Sequence, residues 1–185
     1  MKVSVLALQG DFEAHARAVR SAGADPFDVR TQSELAAADA LIIPGGESTT
    51  IRKLATEYGL LEPLRQRAQD GLPIFGTCAG MIACARTITD GEPPILGVVD
   101  VDVRRNAYGR QVQSFEADID VRGIGEMRAV FIRAPRVERV GEGVEILAEH
   151  DGAPVIVRQG KILLAAFHPE LTQDGRLHHL FLASL

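Results

Sequence analysis

The sequence predicts an α/β fold, an open three-layer sandwich with a mostly parallel central sheet and C-terminal β-hairpins. Two observations support this prediction. Apolar runs alternate with helical patterns over residues 1–85, which is typical of parallel strands joined by helices. In the second half, Asp151-Gly152 and Gln159-Gly160 separate three short strand-like stretches, and turn dipeptides so close together indicate hairpins.

The predicted strands of the first half are short apolar runs. The run at residues 3–8 is typical of a parallel strand that is covered on both faces. Similar runs occupy residues 26–30, 40–43 and 72–75.

The helices predicted between these strands begin and end at recognisable residues. Asp11 can cap a helix over 12–22, which Gly23 ends, and Ser33 can cap a short helix over 34–37. Further helical patterns cover residues 50–58, 62–70 and 81–85.

The second half is predicted to consist mainly of strands, with one short helix at its end. The strands cover residues 96–104, 127–132, 144–149, 154–158 and 161–167, and the helix covers 177–184. Sheets of this class bind ligands beyond the carboxyl ends of their strands. Cys78, the Gly45-Gly46 loop and the loop after Phe167 all fall at such ends.

Length and composition narrow the possible functions. A chain of 185 residues fits one domain, residues 1–185. The net charge of −5 without a basic run argues against a nucleic-acid partner, and two cysteines are too few for a Cys-rich zinc site, so we expect neither metal nor cofactor. Because no run reaches about 20 apolar residues and no signal-peptide cleavage pattern is present, we expect no membrane contact and a cytoplasmic location.

Cys78 is the strongest candidate for a catalytic residue. It follows an apolar run and precedes a helical pattern, with Gly76 and Gly80 on either side. This order is typical of a nucleophile elbow, in which glycines let the backbone pack closely around a strained turn. The helix N-terminus would also favour a thiolate. Cys84 lies in an apolar helical stretch without such features and is predicted to pack in the core.

His168 is the predicted base for this nucleophile. A free cysteine is only a few per cent thiolate at neutral pH, so it needs a base nearby. Of the five histidines, only His168 has a carboxylate, Glu170, two residues further on. Pro169 favours extended backbone at His168, which would place both side chains on one side. The remaining histidines have ordinary interpretations: a helix face for His15, a position before a turn for His150, and surface or capping positions for His178 and His179.

An acyl-transfer site also needs donors for an oxyanion. The amide of Ala79, directly after the nucleophile, is one candidate. The Gly45-Gly46 loop can supply a second from Gly46, although a plain turn between strand and helix is the ordinary interpretation of such a loop.

These motifs together resemble the class I glutamine amidotransferases, because the 76–80 segment is followed by His168 and Glu170 in that family's order. The resemblance is closest to the glutaminase subunits of pyridoxal 5′-phosphate synthase. It rests on residues 8–10, 44–50, 76–81, 105–111, 131–135 and 167–172, which are distributed from one end of the chain to the other.

The resemblance implies a class I glutamine amidotransferase-like fold and a reaction in which L-glutamine is hydrolysed to glutamate and ammonia. It implies that the ammonia passes to a synthase partner subunit. It also implies a set of glutamine-binding residues, and a zwitterionic substrate suits the arginines and the acid among them. These residues are Gly46, Glu47, Ser48, Arg105, Ile132 and Arg133.

Three other functions stay open at this point. The chain could be a non-catalytic binding subunit that retains the fold, although a complete Cys-His-Glu set argues against it. It could serve another amidotransferase or act as a γ-glutamyl hydrolase, although the segments at 105–111 and 131–135 argue against that. A cysteine protease fits poorly with a charge-rich pocket for a small zwitterion.

The first prediction separates the two cysteines. Cys78→Ala should abolish glutamine hydrolysis, whereas Cys84→Ala should retain most of it, because only Cys78 has the setting of a nucleophile. Mass spectrometry after treatment with an electrophilic glutamine analogue should find the label on Cys78 alone. Label on Cys84, or substantial activity in Cys78→Ala, would contradict the prediction.

Overall fold

Strands make up much of the described chain. The computed structural model of the protein describes residues 2–107 and 114–185. Within these ranges the strands are β1 (Val3–Leu6), β2 (Pro26–Val29), β3 (Ala40–Ile43), β4 (Ile74–Thr77), β5 (Ala85–Ile88), β6 (Val99–Arg104), β7 (Ser114–Val121), β8 (Gly125–Ile132), β9 (Arg136–Val140), β10 (Glu145–His150), β11 (Ala153–Gln159) and β12 (Ile162–Ala165).

The helices of the described chain are short and lie mostly in its first half. They are α1 (Phe12–Ser21), α2 (Gln32–Ala36), α3 (Ser48–Glu57), α4 (Leu61–Gln69), α5 (Ala79–Cys84) and α6 (Arg176–Ala183), with a 3₁₀ helix at Pro169–Leu171. None of the helices in these ranges is long and apolar enough to cross a membrane.

The main sheet confirms the predicted fold class. Over the described residues its strand order is β10-β11-β12-β4-β3-β1-β2. The strands from β12 to β2 pair in parallel, whereas β10, β11 and β12 pair antiparallel through the hairpins predicted at Asp151-Gly152 and Gln159-Gly160. All residues of β1, β3, β4 and β12 are buried, as expected of strands that are covered on both faces.

The helices cover the sheet from both sides because the chain reverses its direction across the strands. It runs from β1 out to β2, then back past β1 to β3 and on to β4. Right-handed crossovers therefore place α1 on one face and α2, α3 and α4 on the other. Packing agrees with this: α1 contacts α6, whereas α4 contacts α2 and α3, and α3 contacts α5.

Two smaller sheets contain the elements that the sequence analysis missed. β5, β6 and β9 form one, and β7 and β8 form a long hairpin. The region around β5 was predicted to be helical to residue 85, but the helix stops at Cys84 and β5 pairs in parallel with β6. The alternation of Phe115, Ala117 and Ile119 with acidic residues was a strand signal present in the sequence.

One predicted helix cap is wrong. The cap of α2 is Thr31 and not Ser33, which is already helical. The Thr31 hydroxyl accepts from the amide of Glu34, and the Glu34 carboxylate accepts from the amide of Thr31. This reciprocal pair satisfies two amides at once, which a Ser33 cap would not do. The predicted cap of α1 is confirmed, since Asp11 accepts from the amide of Ala14.

The parallel register brings the ends of β3, β4 and β12 to one edge of the sheet. Ile43 lies opposite Gly76, and Thr77 lies opposite Ala165. The amide of Cys78 donates to the carbonyl of Ala165 at 2.8 Å. The chain segments that follow these strands contain Gly45-Gly46, Cys78 and His168, so the register alone places them side by side.

The second prediction tests the close packing beneath this edge. A Cβ added at Gly80 would lie 2.2 Å from the carbonyl oxygen of Ile43, whereas one at Gly175 would meet only His179, at 3.9 Å. Gly80→Ala should therefore lower the free energy of unfolding by about 1 to 3 kcal/mol, while Gly175→Ala should leave it nearly unchanged. Urea unfolding of both variants measures this, and equal stability would show that β3 and α5 can separate without cost.

Candidate active site

Cys78 occupies a strained turn between β4 and α5. Its backbone has φ 49 and ψ −103, a conformation that residues with a side chain rarely adopt. A Cβ at Gly76 would lie 2.7 Å from the backbone of Gly80, so the turn closes only because both flanking residues lack side chains. The strand–turn–helix order predicted from the sequence is present. Cys78 as a whole residue is 5% exposed, and its thiol lies 3.8 Å from the carbonyl oxygen of Ile132.

His168 and Glu170 form a close pair beside this turn. Nδ1 of His168 lies 2.8 Å from Oε1 of Glu170, whose side chain is 1% exposed. The expected extended backbone is not what joins them, because Pro169–Leu171 is a 3₁₀ helix. That helix turns Glu170 back towards the imidazole, and the loop is anchored by the amide of His168, which donates to the carbonyl of Val130 at 2.9 Å.

The electrostatics of the pair favour charged forms. Burial acts to lower the pKa of His168, but hydrogen bonds and charge interactions with Cys78 and Glu170 outweigh it and raise that pKa to about 10. Burial acts to raise the pKa of Glu170, but contacts with His15 and His168 hold it well below its usual range. Glu170 is therefore ionised, and its Oε1 accepts a hydrogen bond from Nδ1 of His168. The other ring nitrogen of His168, Nε2, is then available to interact with Cys78.

The loop after β3 packs against the same side chains. A Cβ at Gly45 would lie 2.3 Å from Cε1 of His168 and 3.3 Å from the Cβ of Cys78. Because Gly45 has no side chain, the imidazole of His168 and the side chain of Cys78 can both lie against this loop. The amide of Glu47 donates to Oε1 of Gln9 at 2.8 Å, which ties the loop to the segment after β1. Ala79 is the first residue of α5, where a helix leaves amides without an intrahelical partner.

A cavity of about 380 Å³ unites these groups. With the exception of Ala79, which is fully buried, the predicted site residues all line it. They are Gly46, Glu47, Ser48, Cys78, Arg105, Ile132, Arg133, His168 and Glu170. Asp11, Ile82, Asn106 and Leu171 also line the cavity and were not among the predicted site residues. Asn106 and Leu171 lie inside the motifs that carry the resemblance, and Asp11 and Ile82 each directly follow one of them.

The two predicted arginines differ in their surroundings. Nε of Arg105 lies 2.8 Å from a carboxylate oxygen of Asp90, and its Nη2 lies 3.7 Å from Glu92. Arg133 is exposed, has φ 44, and has no ion-pair partner among the described residues. Arg133 is therefore the better placed of the two to receive an external carboxylate. The rest of the motif that begins at Arg105, residues 108–111, lies outside the described residues.

Two histidines turn out to be buried, and the ordinary interpretation of one was wrong. His178 was expected at the surface or as a cap but is 1% exposed, whereas its neighbour His179 is exposed. His15 lies on the buried face of α1 and is 0% exposed. Its Nε2 is 3.3 Å from Oε2 of Glu170. Helical spacing from Phe12 was the available sign that position 15 faces inward.

Comparisons with known proteins cover nearly the whole chain. A family model described as the SNO glutamine amidotransferase family matches residues 5–185. A relative from Thermus thermophilus, named pyridoxal 5′-phosphate synthase subunit PdxT, is 57% identical over 182 residues, covering 97% of this chain and 95% of the relative. A relative of the same name from Mycolicibacterium vanbaalenii is 56% identical over 190 residues, covering 100% and 97%.

A solved structure gives the same result for the fold. It is described as the crystal structure of a glutamine amidotransferase, and it is 53% identical to this chain with a TM-score of 0.92. The match covers 98% of this chain and 97% of that one.

The third prediction ranks the two residues beside Cys78. In an assay of glutamine hydrolysis, His168→Asn should lower kcat by roughly 10²- to 10⁴-fold, because it removes the group that moves protons. Glu170→Gln should be less damaging, because its carbonyl can still accept from Nδ1. Circular dichroism controls for folding. The reverse ranking would mean that Glu170 does more than orient the base.

Proposed function

Because the chain belongs to the SNO glutamine amidotransferase family, we propose that it hydrolyses L-glutamine to L-glutamate and ammonia as the glutaminase subunit of a pyridoxal 5′-phosphate synthase. The observation that carries the proposal is the convergence of Cys78, His168 and Glu170 on one cavity. The names of relatives that are 56–57% identical support the assignment to this particular synthase.

In the proposed reaction, Cys78 is the nucleophile and His168 moves the protons. The thiol passes its proton to Nε2 of His168, and the thiolate attacks the side-chain amide carbon of glutamine. The C–N bond breaks as the imidazolium protonates the leaving nitrogen, which gives ammonia and a γ-glutamyl thioester. His168 then takes a proton from water as the water attacks the thioester. Glutamate leaves, and the thiol is restored.

Glu170 and two backbone amides complete the proposed machinery. The carboxylate of Glu170 orients His168 and stabilises its charged form. The amides of Ala79 and Gly46 are the proposed donors to the oxyanion that forms in both halves of the reaction. Since the turn at Cys78 is fixed by the sheet, the Ala79 amide is held in place, whereas the Gly46 amide belongs to a loop.

The substrate-binding assignment follows from the charges of free glutamine. We assign Arg133, supported by Arg105, to its carboxylate and Glu47 to its ammonium group. The carbonyl of Ile132 lies near the thiol and can accept an N–H of the substrate. Gly46 and Ser48 line the same cavity on the side of the β3 loop. A cavity lined by both charge signs fits a zwitterion better than it fits a protease substrate.

The proposed partner is the synthase subunit that consumes the ammonia, in a hetero-oligomeric complex. Two of the curated relatives carry the name of a subunit of this synthase, which supports a complex. We also propose a cytoplasmic location, because a nucleophilic thiol such as that of Cys78 must stay reduced.

The fourth prediction tests the activity and its control by the partner. Ammonia is wasted without a subunit that uses it, so we expect docking of the synthase subunit to raise kcat. A turn of the peptide at Gly45-Gly46 that presents the second oxyanion donor would account for a rise of roughly 10²- to 10³-fold. Steady-state glutaminase kinetics with and without saturating synthase subunit measure this rise, and equal kcat in both conditions would show a preformed site.

A pair of glycine variants tests whether the Gly45-Gly46 peptide is responsible for activation by the synthase subunit. Gly46 has φ +147, and an added Cβ would lie 2.7 Å from Oε1 of Gln9, so Gly46→Ala should blunt activation. Gly143→Ala is the matched control, because Gly143 also has positive φ but has nothing within 4 Å of an added Cβ. Equal activation of both variants by the synthase subunit would show that the Gly46 peptide does not control the activity. No glutamine hydrolysis by the wild-type complex would overturn the proposed function itself.

A further inference from the structure

Two buried histidines lie behind the proposed triad and take no part in the mechanism described above. They are His15 of α1 and His178 of α6, and they are 0% and 1% exposed. Burying a polar side chain costs free energy unless hydrogen bonds replace its contacts with water. The contacts that these two imidazoles make therefore indicate what keeps them in the interior.

His15 contacts the side of Glu170 that faces away from His168. Oε1 of the carboxylate is 2.8 Å from Nδ1 of His168, while Oε2 is 3.3 Å from Nε2 of His15. Oε2 is buried and has no hydrogen bond among the described residues, so Nε2 of His15 is the nearest group that could donate to it. The same Nε2 lies 3.2 Å from Oγ1 of Thr77, so the hydroxyl and the carboxylate are both within reach of this nitrogen. Each oxygen of Glu170 is thus covered by a different histidine.

His178 completes a chain of contacts through the interior. Its Nε2 lies 3.0 Å from Nδ1 of His15. Phe75 packs its ring edge-on against both imidazoles, with centroid separations of 6.3 Å to His15 and 5.3 Å to His178. Packing on a phenylalanine restricts rotation of both rings, so these contacts persist.

Donor and acceptor rules fix where the protons lie. An ionised carboxylate only accepts, so Nε2 of His15 carries a proton. If His15 is neutral, its Nδ1 is an acceptor, and Nε2 of His178 must be the donor. That leaves Nδ1 of His178 as a bare lone pair, and this atom has no hydrogen-bond partner among the described residues. Burial lowers the pKa of His178 to about 3, so His178 is neutral.

We propose that His15 is a positioning residue of this site: its Nε2–H holds the outer oxygen of Glu170, which keeps the inner oxygen aimed at His168, and His178 fixes the tautomer of His15. This proposal rests on the glutaminase function proposed above. Without His15, the buried outer oxygen loses its nearest donor, and the carboxylate can rotate away from His168 or take up a proton.

Two variants of His15 separate this role from packing. The amide nitrogen of glutamine reaches the place of Nε2, whereas that of asparagine reaches only the place of Nδ1. With saturating synthase subunit, His15→Gln should keep kcat within a few-fold of wild type, and His15→Asn should lower it by roughly 10- to 100-fold with little change in KM. Equal kcat in the two variants, at matched melting temperatures, would overturn the proposal.

The pH dependence of kcat/KM is a second measurement, and a loss of packing at position 15 would not by itself shift it. The groups in contact with Glu170 or next in line are His168 on its own segment, His15 on α1, Thr77 at the end of β4 and His178 on α6. Glu170 also lines a second cavity together with the titratable residues Arg17, Asp174, Arg176 and His179. Loss of the His15 donor destabilises the charged carboxylate, so the acid limb of kcat/KM should move to higher pH in His15→Asn and stay in place in His15→Gln. An unmoved limb in His15→Asn would contradict the proposal.

The same two substitutions, made at His178 on α6, test whether His178 fixes the tautomer of His15. His178→Gln keeps a donor at the place of Nε2 and should remain active, whereas His178→Asn should lose activity as His15→Asn does. His179→Asn is the matched control on the next residue of the helix, because His179 is exposed. Loss of activity in His179→Asn equal to that in His178→Asn would assign the effect to α6 as a whole.

Nitrogen-15 NMR of histidine-labelled protein distinguishes failure of this inference from failure of the proposed function. Long-range proton–nitrogen correlations should show Nε2–H tautomers for His15 and His178, with His178 remaining neutral at pH 5. A Nδ1–H tautomer at His15 would overturn the inference even in an active enzyme. These correlations need no substrate, so an inactive wild-type complex would overturn the function and leave the tautomers readable.

Discussion

The strained turn at Cys78 is the constraint on which the rest of the site depends. A backbone at positive φ costs roughly 1 to 3 kcal/mol and persists only where the surroundings enforce it. Here the enforcement comes from β3 and β12, which pair with β4 on either side and hold the residue before the turn. This arrangement requires glycine at positions 76 and 80, because neither position has room for a Cβ. The register of the sheet, the positions of the two glycines and the conformation of Cys78 therefore depend on one another.

A buried carboxylate is the second feature that organises the molecule. Glu170 carries a charge on a side chain that is 1% exposed, and a histidine nitrogen lies within 3.3 Å of each of its oxygens. These histidines lie in the loop after β12 and on α1, so the two ends of the chain meet at one side chain. Activity and stability are coupled here, because the contacts that keep the carboxylate ionised also join α1 to the C-terminal part of the fold.

The sequence was sufficient for the turn at Cys78 and for the main sheet. Glycines on both sides of Cys78 predicted the strand–turn–helix order, and short apolar runs predicted the strands that the structure buries. The pairing of His168 with Glu170 was also predicted, but from an extended backbone, whereas a 3₁₀ helix makes the contact. The small sheets were missed in part: β5 follows α5 without a break, and its partner β6 begins only at Val99, so no local pattern marks it.

What the sequence determined by itself is what local order encodes: a cysteine between two glycines, a histidine with an acid two residues on, and apolar runs that must be covered on both faces. What only the tertiary structure decided is which distant groups meet. His15 and His178 are 163 positions apart and lie 3.0 Å from each other, and neither has a neighbour in sequence that indicates this. The physical reason is that a buried charge takes its donors from whichever elements pack around it, and packing is a property of the whole chain.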